Sequence, residues 1–220
     1  MKVVITGCTG FIGREVLEQC LQNASITSVL ALSRRELPSA TQNPKLKVAI
    51  VDDFLSYSNK LLDDVKGAEA VIWCLGKACM PDSDMARKVS VDYKLAAVKA
   101  FDQANTAADN EKKLRFVYLS GAASERDPMK PLWFLQDYRR IRGQVENELI
   151  AHADEHPNDF ETYIMRPGFV LAKDTNLRDM LKGLAPSVKV NVLASAMIKS
   201  ALGGNEHQIV ENSMIASMKV

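Results

Sequence analysis

No apolar run in this 220-residue chain approaches the roughly 20 residues needed to cross a bilayer, so a transmembrane helix is not expected. A surplus of one charge is also missing. Lys and Arg number 28 against 27 Asp and Glu, a formal net charge of +1. Nucleic-acid binders face phosphates with a cationic surplus, so that class is excluded as a partner. Cysteine is scarce: there are 4, none in a paired metal-ligand spacing. A disulfide scaffold and a zinc ribbon are thereby excluded. Histidine is scarcer still, at 3. His152 and His156 stand four apart on an expected helix with Asp154 between them, and His207 is isolated. Two imidazoles at that spacing suit a metal, but no third ligand is indicated, so no metal is expected. The pair reads as a solvated helix end before Pro157. No secretory leader or Arg-rich transit segment is apparent, and with scattered cysteines a reducing, cytoplasmic setting is expected. Repeats and low-complexity tracts are lacking as well.

What is present is an ordinary globular composition, 47% hydrophobic and 25% charged, in one domain spanning residues 1–220. Residues 2–6, KVVIT, form a β-branched apolar run. GCTGFIG follows, and then a helical pattern with Val16, Leu17, Cys20 and Leu21 on one face. The glycines therefore lie on a strand-to-helix turn. Gly7 allows the tight turn, Gly10 lets backbone approach a pyrophosphate, and Gly13 permits close helix–strand packing. The helix N-terminus offers unpaired N–H groups to the phosphate, flanked by Thr9, Phe11 and Ile12.

Further strands are expected at 27–33, 46–52, 69–75, 114–120 and 160–165, each nearly all apolar, as burial on both faces requires. Helical patterns fall at 11–23, 59–66, 84–108 and 134–154. This alternation predicts an α/β fold, a doubly wound parallel sheet of Rossmann type with helices on both faces. In such sheets ligands bind beyond the carboxyl ends of the strands, so strand-end residues are the informative ones.

The second strand ends in Ser33, Arg34 and Arg35. An NAD site places an acid at this strand end for the ribose 2′-hydroxyl, and this chain has Ser and two Arg there. Two guanidiniums suit a 2′-phosphate, so NADP(H) is favoured over NAD(H), unless both are merely solvated loop charges. The fourth strand ends in Cys74, Leu75 and Gly76, where glycine lets the chain pass beside a cofactor. Cys74 reads as an inert buried thiol. Cys8, in the glycine loop, reads as more exposed and oxidation-sensitive. Ser120 tips the fifth strand. Tyr138 and Arg142, four apart, share one face of the following helix. The loop 77–83 and the segment 122–133 frame a mouth whose rim includes Met80, Met129, Leu132, Trp133 and Phe134, either a surface for a partly apolar substrate or satellite core.

The set GCTGFIG, SRR, CLG, LSGAAS, YRRIRGQVE and MRPG resembles the extended and atypical short-chain dehydrogenase/reductase superfamily, in its Tat-interacting-protein-like, NmrA-like branch. The resemblance runs from about residue 2 to residue 172 and more loosely to the end. It implies NADP(H) binding. It implies that Asp53 meets the adenine amino group and Phe54 covers the ring, although Asp53 is equally a capping residue before a loop. It implies a Ser–Tyr–Lys catalytic set in which Ser120 bonds the substrate oxygen and Tyr138 passes the proton. The lysine of Y-x-x-x-K is Arg142 here, while Gly143 and Glu146 keep the register. Arginine supplies charge and ribose bonds but cannot lose its proton. The R-P-G bend implies backbone contacts from Pro167, Gly168, Phe169 and Val170 to the nicotinamide carboxamide. Residues 173–200 are implied to form a small substrate cap, with Arg178 reaching a substrate anion, and a helix packing back on the sheet.

The function expected is an NADP(H)-dependent oxidoreductase acting on a small, partly apolar carbonyl or enol compound. Two alternatives stay open: a non-catalytic NADP(H) sensor regulating a protein partner, and a non-redox isomerase, cyclase or dehydratase. A homodimer and peripheral association with an organelle surface fit the same expectations.

Overall fold

Val3, Val4 and Ile5 are all fully buried, which requires cover on both faces of their strand. A computed structural model describes residues 1–37, 43–76, 88–106, 112–174 and 185–218. In chain order the elements begin with β1 (Lys2–Thr6), α1 (Phe11–Gln22), β2 (Ser28–Ser33), β3 (Leu46–Ile50), α2 (Asn59–Val65) and β4 (Ala70–Trp73). A π-helical turn, Lys88–Asp92, runs into α3 (Tyr93–Thr106). Next come β5 (Leu114–Leu119), α4 (Gln136–Glu155) and β6 (Phe160–Arg166). The last part holds β7 (Phe169–Leu171), β8 (Ser187–Lys189), α5 (Val190–Gly203), β9 (Ile209–Glu211) and α6 (Asn212–Ser217).

The main sheet has seven parallel strands in the order β3-β2-β1-β4-β5-β6-β9, and β7 pairs with β8 in a separate ribbon. The strand order reverses between β1 and β4, the place where doubly wound sheets open a ligand crevice. Strand side chains alternate faces. Val3 and Ile5 pack with Val16 and Cys20 of α1 and Leu193 and Met197 of α5. Val4 faces the other way, with Leu61 of α2, Val98 and Phe101 of α3, and Val145 and Leu149 of α4. Each such side chain contributes about 1.5–3 kcal/mol by leaving water, so two full layers hold the sheet.

Strands β2 to β5 are one to three residues shorter than the apolar runs suggest, while β1 matches its run and β6 extends one residue further, to Arg166. At the trimmed carboxyl ends Leu75 becomes loop, while Ser120 keeps its N–H bond to the Met165 carbonyl of β6 at 2.8 Å. The pattern at 84–108 resolves into the π turn and α3, with 84–87 and 107–108 outside the described residues. The helix expected from 134 starts at Gln136, after Leu135 takes a left-handed φ of 48°. Residues 190–200, expected within the substrate region, lie in α5 with Val190, Leu193, Ala194, Met197 and Ala201 buried. The three-residue strands β7, β8 and β9 and the helix α6 have no expected counterpart. They are too short to show periodicity.

Candidate functional site

The glycine turn is built by close approach. Gly7 has φ +74°, and a Cβ there would sit 2.6 Å from the Cys74 carbonyl carbon at the end of β4. Only glycine takes that conformation without strain and fits that gap. A Cβ at Gly13 would lie 2.2 Å from the Gly7 oxygen, so the start of α1 is pressed onto β1. Gly10 is the N-cap of α1 and no side chain caps it. The first N–H groups of the helix, with the positive end of its dipole, are thus left for an anion. A cradle this tight fits a pyrophosphate.

Two clefts flank the turn. The outer one, about 370 Å³, is lined by Gly7, Cys8 and Thr9 on one side and by Leu32, Ser33, Arg34, Arg35 and Phe54 on the other. Arg34 and Arg35 are exposed, and among the described residues neither pairs with an acid. Phe54 reaches the cleft from the core, where it packs edge-on to Trp73 at 6.0 Å between centroids. Asp53 is not among the lining residues. Its Oδ1 accepts the Leu55 N–H at 3.1 Å, which fixes the turn after β3.

The inner cleft, about 200 Å³, is lined by Gly10, Phe11, Ile12 and Gly13, by Cys74, Leu75 and Gly76, and by Ser90, Lys94, Tyr118, Leu119 and Arg142. Lys94 had no signal in the sequence. It is only 2% exposed, and its Nζ donates to the Ser90 carbonyl at 2.6 Å. The same Nζ lies 5.1 Å from the centre of the Tyr118 ring. Burial, and secondarily the Arg142 charge, hold this amine well below the ordinary lysine range. Burial pushes the Tyr118 phenol up to about 12.

Arg142 joins the cleft to the helix tyrosine. Its Nη1 donates to the Leu119 carbonyl at 3.1 Å, and its guanidinium carbon stands 4.7 Å from the centre of the Tyr138 ring. Gly143 explains how α4 comes so near, because a Cβ there would overlap the Glu125 backbone oxygen at 1.7 Å. The Tyr138 hydroxyl lies 3.3 Å from where a Gly121 Cβ would be, so the phenol ends over the loop after β5. Tyr138 and Ser120 do not line the inner cleft. Arg142 is the group of the expected set that does.

Ser120 is buried, and its hydroxyl donates to the Glu146 carboxylate. Glu146 is fully buried and also accepts Ser124 Oγ at 2.6 Å and the Arg166 guanidinium. Arg166 Nη1 reaches Glu211 at 3.0 Å. One carboxylate thus ties α4 to the ends of β5 and β6. Glu146 was visible only as part of the G-x-x-E register, and Arg166 only as the first letter of the bend.

Other expected residues fall elsewhere. Pro167, Gly168, Phe169 and Val170 line neither cleft. The Gly168 N–H is taken by Asn212 Oδ1 at 2.8 Å and the Phe169 N–H by the Pro186 carbonyl at 2.9 Å. Leu132 is buried, while Trp133 is 94% exposed and Met129 and Phe134 are also exposed. Met80 and Arg178 lie outside the described residues. The expectation that Cys8 is exposed is corrected: it is buried, and burial pushes its thiol up to about 12, because the glycine turn folds inward against the end of β4. Asp154 faces solvent. His152 instead meets Asp102 of α3, Nε2 to Oδ2 at 2.9 Å.

Comparison with known proteins places this geometry in a family. A model described as NAD(P)H-binding matches residues 7–201. A leucinostatins biosynthesis cluster protein T of Purpureocillium lilacinum is 35% identical over 121 residues, covering 54% of this chain and 42% of that protein. The chain thus matches less than half the length of that relative. Protein FMP52, mitochondrial, of Candida albicans is 22% identical over 188 residues, 86% of this chain and 75% of that protein. The crystal structure of yeast methylglyoxal/isovaleraldehyde reductase Gre2 complexed with NADPH shares the fold. Its TM-score is 0.70 at 16% identity, covering 91% of this chain and 74% of that one. The matched residues span the glycine turn, the parallel sheet and both clefts, and the chain belongs to the NAD(P)H-binding family.

Proposed function

We propose that the chain is an oxidoreductase that binds NADP(H) in preference to NAD(H) and reduces or oxidises a small, partly apolar carbonyl or enol compound. The observation that carries this reading is the inner cleft. There the glycine turn, Arg142 beside Tyr138, and the buried amine of Lys94 converge at the strand-order reversal. The dinucleotide, when bound, supplies or accepts the hydride. Tyr138 gives or takes the proton at its phenol oxygen. Arg142 keeps positive charge beside that ring but cannot release a proton. Lys94, held toward its neutral form, is the group lining the cleft that exchanges one. The exposed Trp133, Phe134 and Met129 support an apolar side to the substrate. The FMP52 relative is named mitochondrial, and no helix among the described residues is long and apolar enough to cross a membrane. A cytoplasmic protein that associates peripherally with an organelle surface, alone or as a homodimer, is the setting we propose.

One observation favours a second reading, an NADP(H) sensor that regulates a protein partner. The Ser120 hydroxyl is donated to Glu146 and not to the mouth. The two readings separate when purified protein is given NADPH and a panel of aldehydes and ketones and nicotinamide oxidation is followed. The enzyme reading expects turnover that falls by roughly 10²-fold in Tyr138→Phe with NADPH affinity unchanged. Tight NADPH binding with no oxidation across the panel would leave the sensor.

A further inference from the structure

Far from the clefts, three donor groups meet at the other end of the sheet. Asp102 lies in the second half of α3, and His152 and His156 close the end of α4, just before β6 begins. His152 Nε2 is 2.9 Å from Asp102 Oδ2, and His156 Nδ1 is 3.9 Å from the same oxygen. One donor atom from each residue falls within 4.8 Å of the other two. Two ligands on a tetrahedral zinc stand roughly 3.4 Å apart, given metal–ligand bonds of about 2.0–2.2 Å. The two measured separations straddle that value.

A second observation concerns charge. The Asp102 side chain is 7% exposed, and its Oδ1 has no hydrogen-bond partner. A buried carboxylate oxygen left unpaired is costly. Among the described residues, its only cation-forming neighbours within ion-pair distance are the two histidines. A divalent cation held among the three donors gives this buried carboxylate the partner it lacks.

We propose that Asp102, His152 and His156 form a binding site for a zinc-type divalent transition-metal ion that staples α3 to α4. Asp102 and His152 hold two positions. The ring of Phe160 packs edge-on to His152, with centroids 4.7 Å apart, and fixes its plane. His156 supplies the third ligand from the helix cap. Its side chain is 43% exposed, so it turns to the ion by giving up its contact with the His152 carbonyl at 3.1 Å. Water fills the open side. The site is structural and stands apart from the dinucleotide clefts, which lie at the carboxyl ends of the strands.

The test uses untagged full-length protein stripped with chelator. Zinc is titrated by calorimetry and cobalt by its visible absorption. The expected result is one equivalent bound, a tetrahedral cobalt spectrum, and a raised thermal midpoint with zinc. His156→Ala, at an exposed position, is expected to weaken zinc binding by roughly 10-fold or more, and so is Asp102→Asn, which keeps the shape. NADPH binding, measured by nicotinamide fluorescence, reports that both variants remain folded. Absence of zinc binding to the wild-type chain would overturn the site. Undiminished binding in both variants, or binding abolished by thiol alkylation instead, would overturn it equally.

Discussion

The guanidinium of Arg142 lies over the ring of Tyr138, one helical turn away, with its carbon 4.7 Å from the ring centre. It therefore presents charge to the face of the phenol while its Nη1 is anchored on the Leu119 carbonyl. A cation so fixed pairs with the face of the ring, and its charge adds to the burial that keeps Lys94 below the ordinary lysine range. Arg142→Lys keeps a charge but loses the planar stack and the fork. The expected outcome is retained NADPH binding with a displaced pH–rate profile. Arg142→Ala is expected to lower turnover by roughly 10²-fold. An unaltered profile in both variants would remove Arg142 from the chemistry.

Lys94 is expected to oppose stability to function. Its folded-state affinity for protons lies well below the ordinary lysine value, so between the two values the unfolded chain binds the extra proton. Native stability therefore rises as pH climbs from the folded value toward about 10, and is lost as pH falls back to the folded value. Lys94→Met removes the buried amine. It should raise the thermal midpoint at neutral pH, flatten that pH slope and reduce turnover. Melting curves at several pH values check the first two, and steady-state rates the third.

Arg34 and Arg35 line the outer cleft with exposed side chains. Charge-assisted hydrogen bonds contribute about 1.5–3 kcal/mol, so replacing both by Ala is expected to weaken NADPH by roughly 10- to 100-fold. NADH, lacking the 2′-phosphate, should bind the variant as it binds the parent. Equal losses for both dinucleotides would show that these arginines do not read the phosphate.

Glu146 compensates the Arg166 charge and holds two serine hydroxyls in a fully buried position. Glu146→Gln leaves Arg166 short of a buried partner. Breaking such a pair costs about 3–5 kcal/mol, a large share of the stability of a domain this size. Urea denaturation of the variant should show that loss. A change under about 1 kcal/mol would mean that Arg166 and Glu211 form the stronger couple.

The sequence by itself determined the sheet, the turn and the order of strand ends. Those features are local: apolar runs, a glycine spacing, and a helical period that starts right after it. Gly7, Gly10 and Gly13 were readable because their spacing is local: Gly7 takes a positive φ, and Gly13 packs on the Gly7 oxygen six residues before it. Tyr138 and Arg142 were readable because helical geometry alone puts residues four apart on one face.

Tertiary structure decided what depends on contacts between distant segments. The sheet edge β9 is three residues long and exists only because β6 offers it a partner. Lys94 became part of the inner cleft because α3 packs between β5 and α4. Asp102 joined His152 across 50 residues, where the sequence showed only Asp154, on the solvent side. Cys8 went from an expected exposed thiol to a buried one because the glycine turn folds inward against β4. Periodicity specifies which face of an element is apolar. It does not specify which polar group of a neighbouring element will meet that face, because side-chain encounters depend on the packing of whole layers.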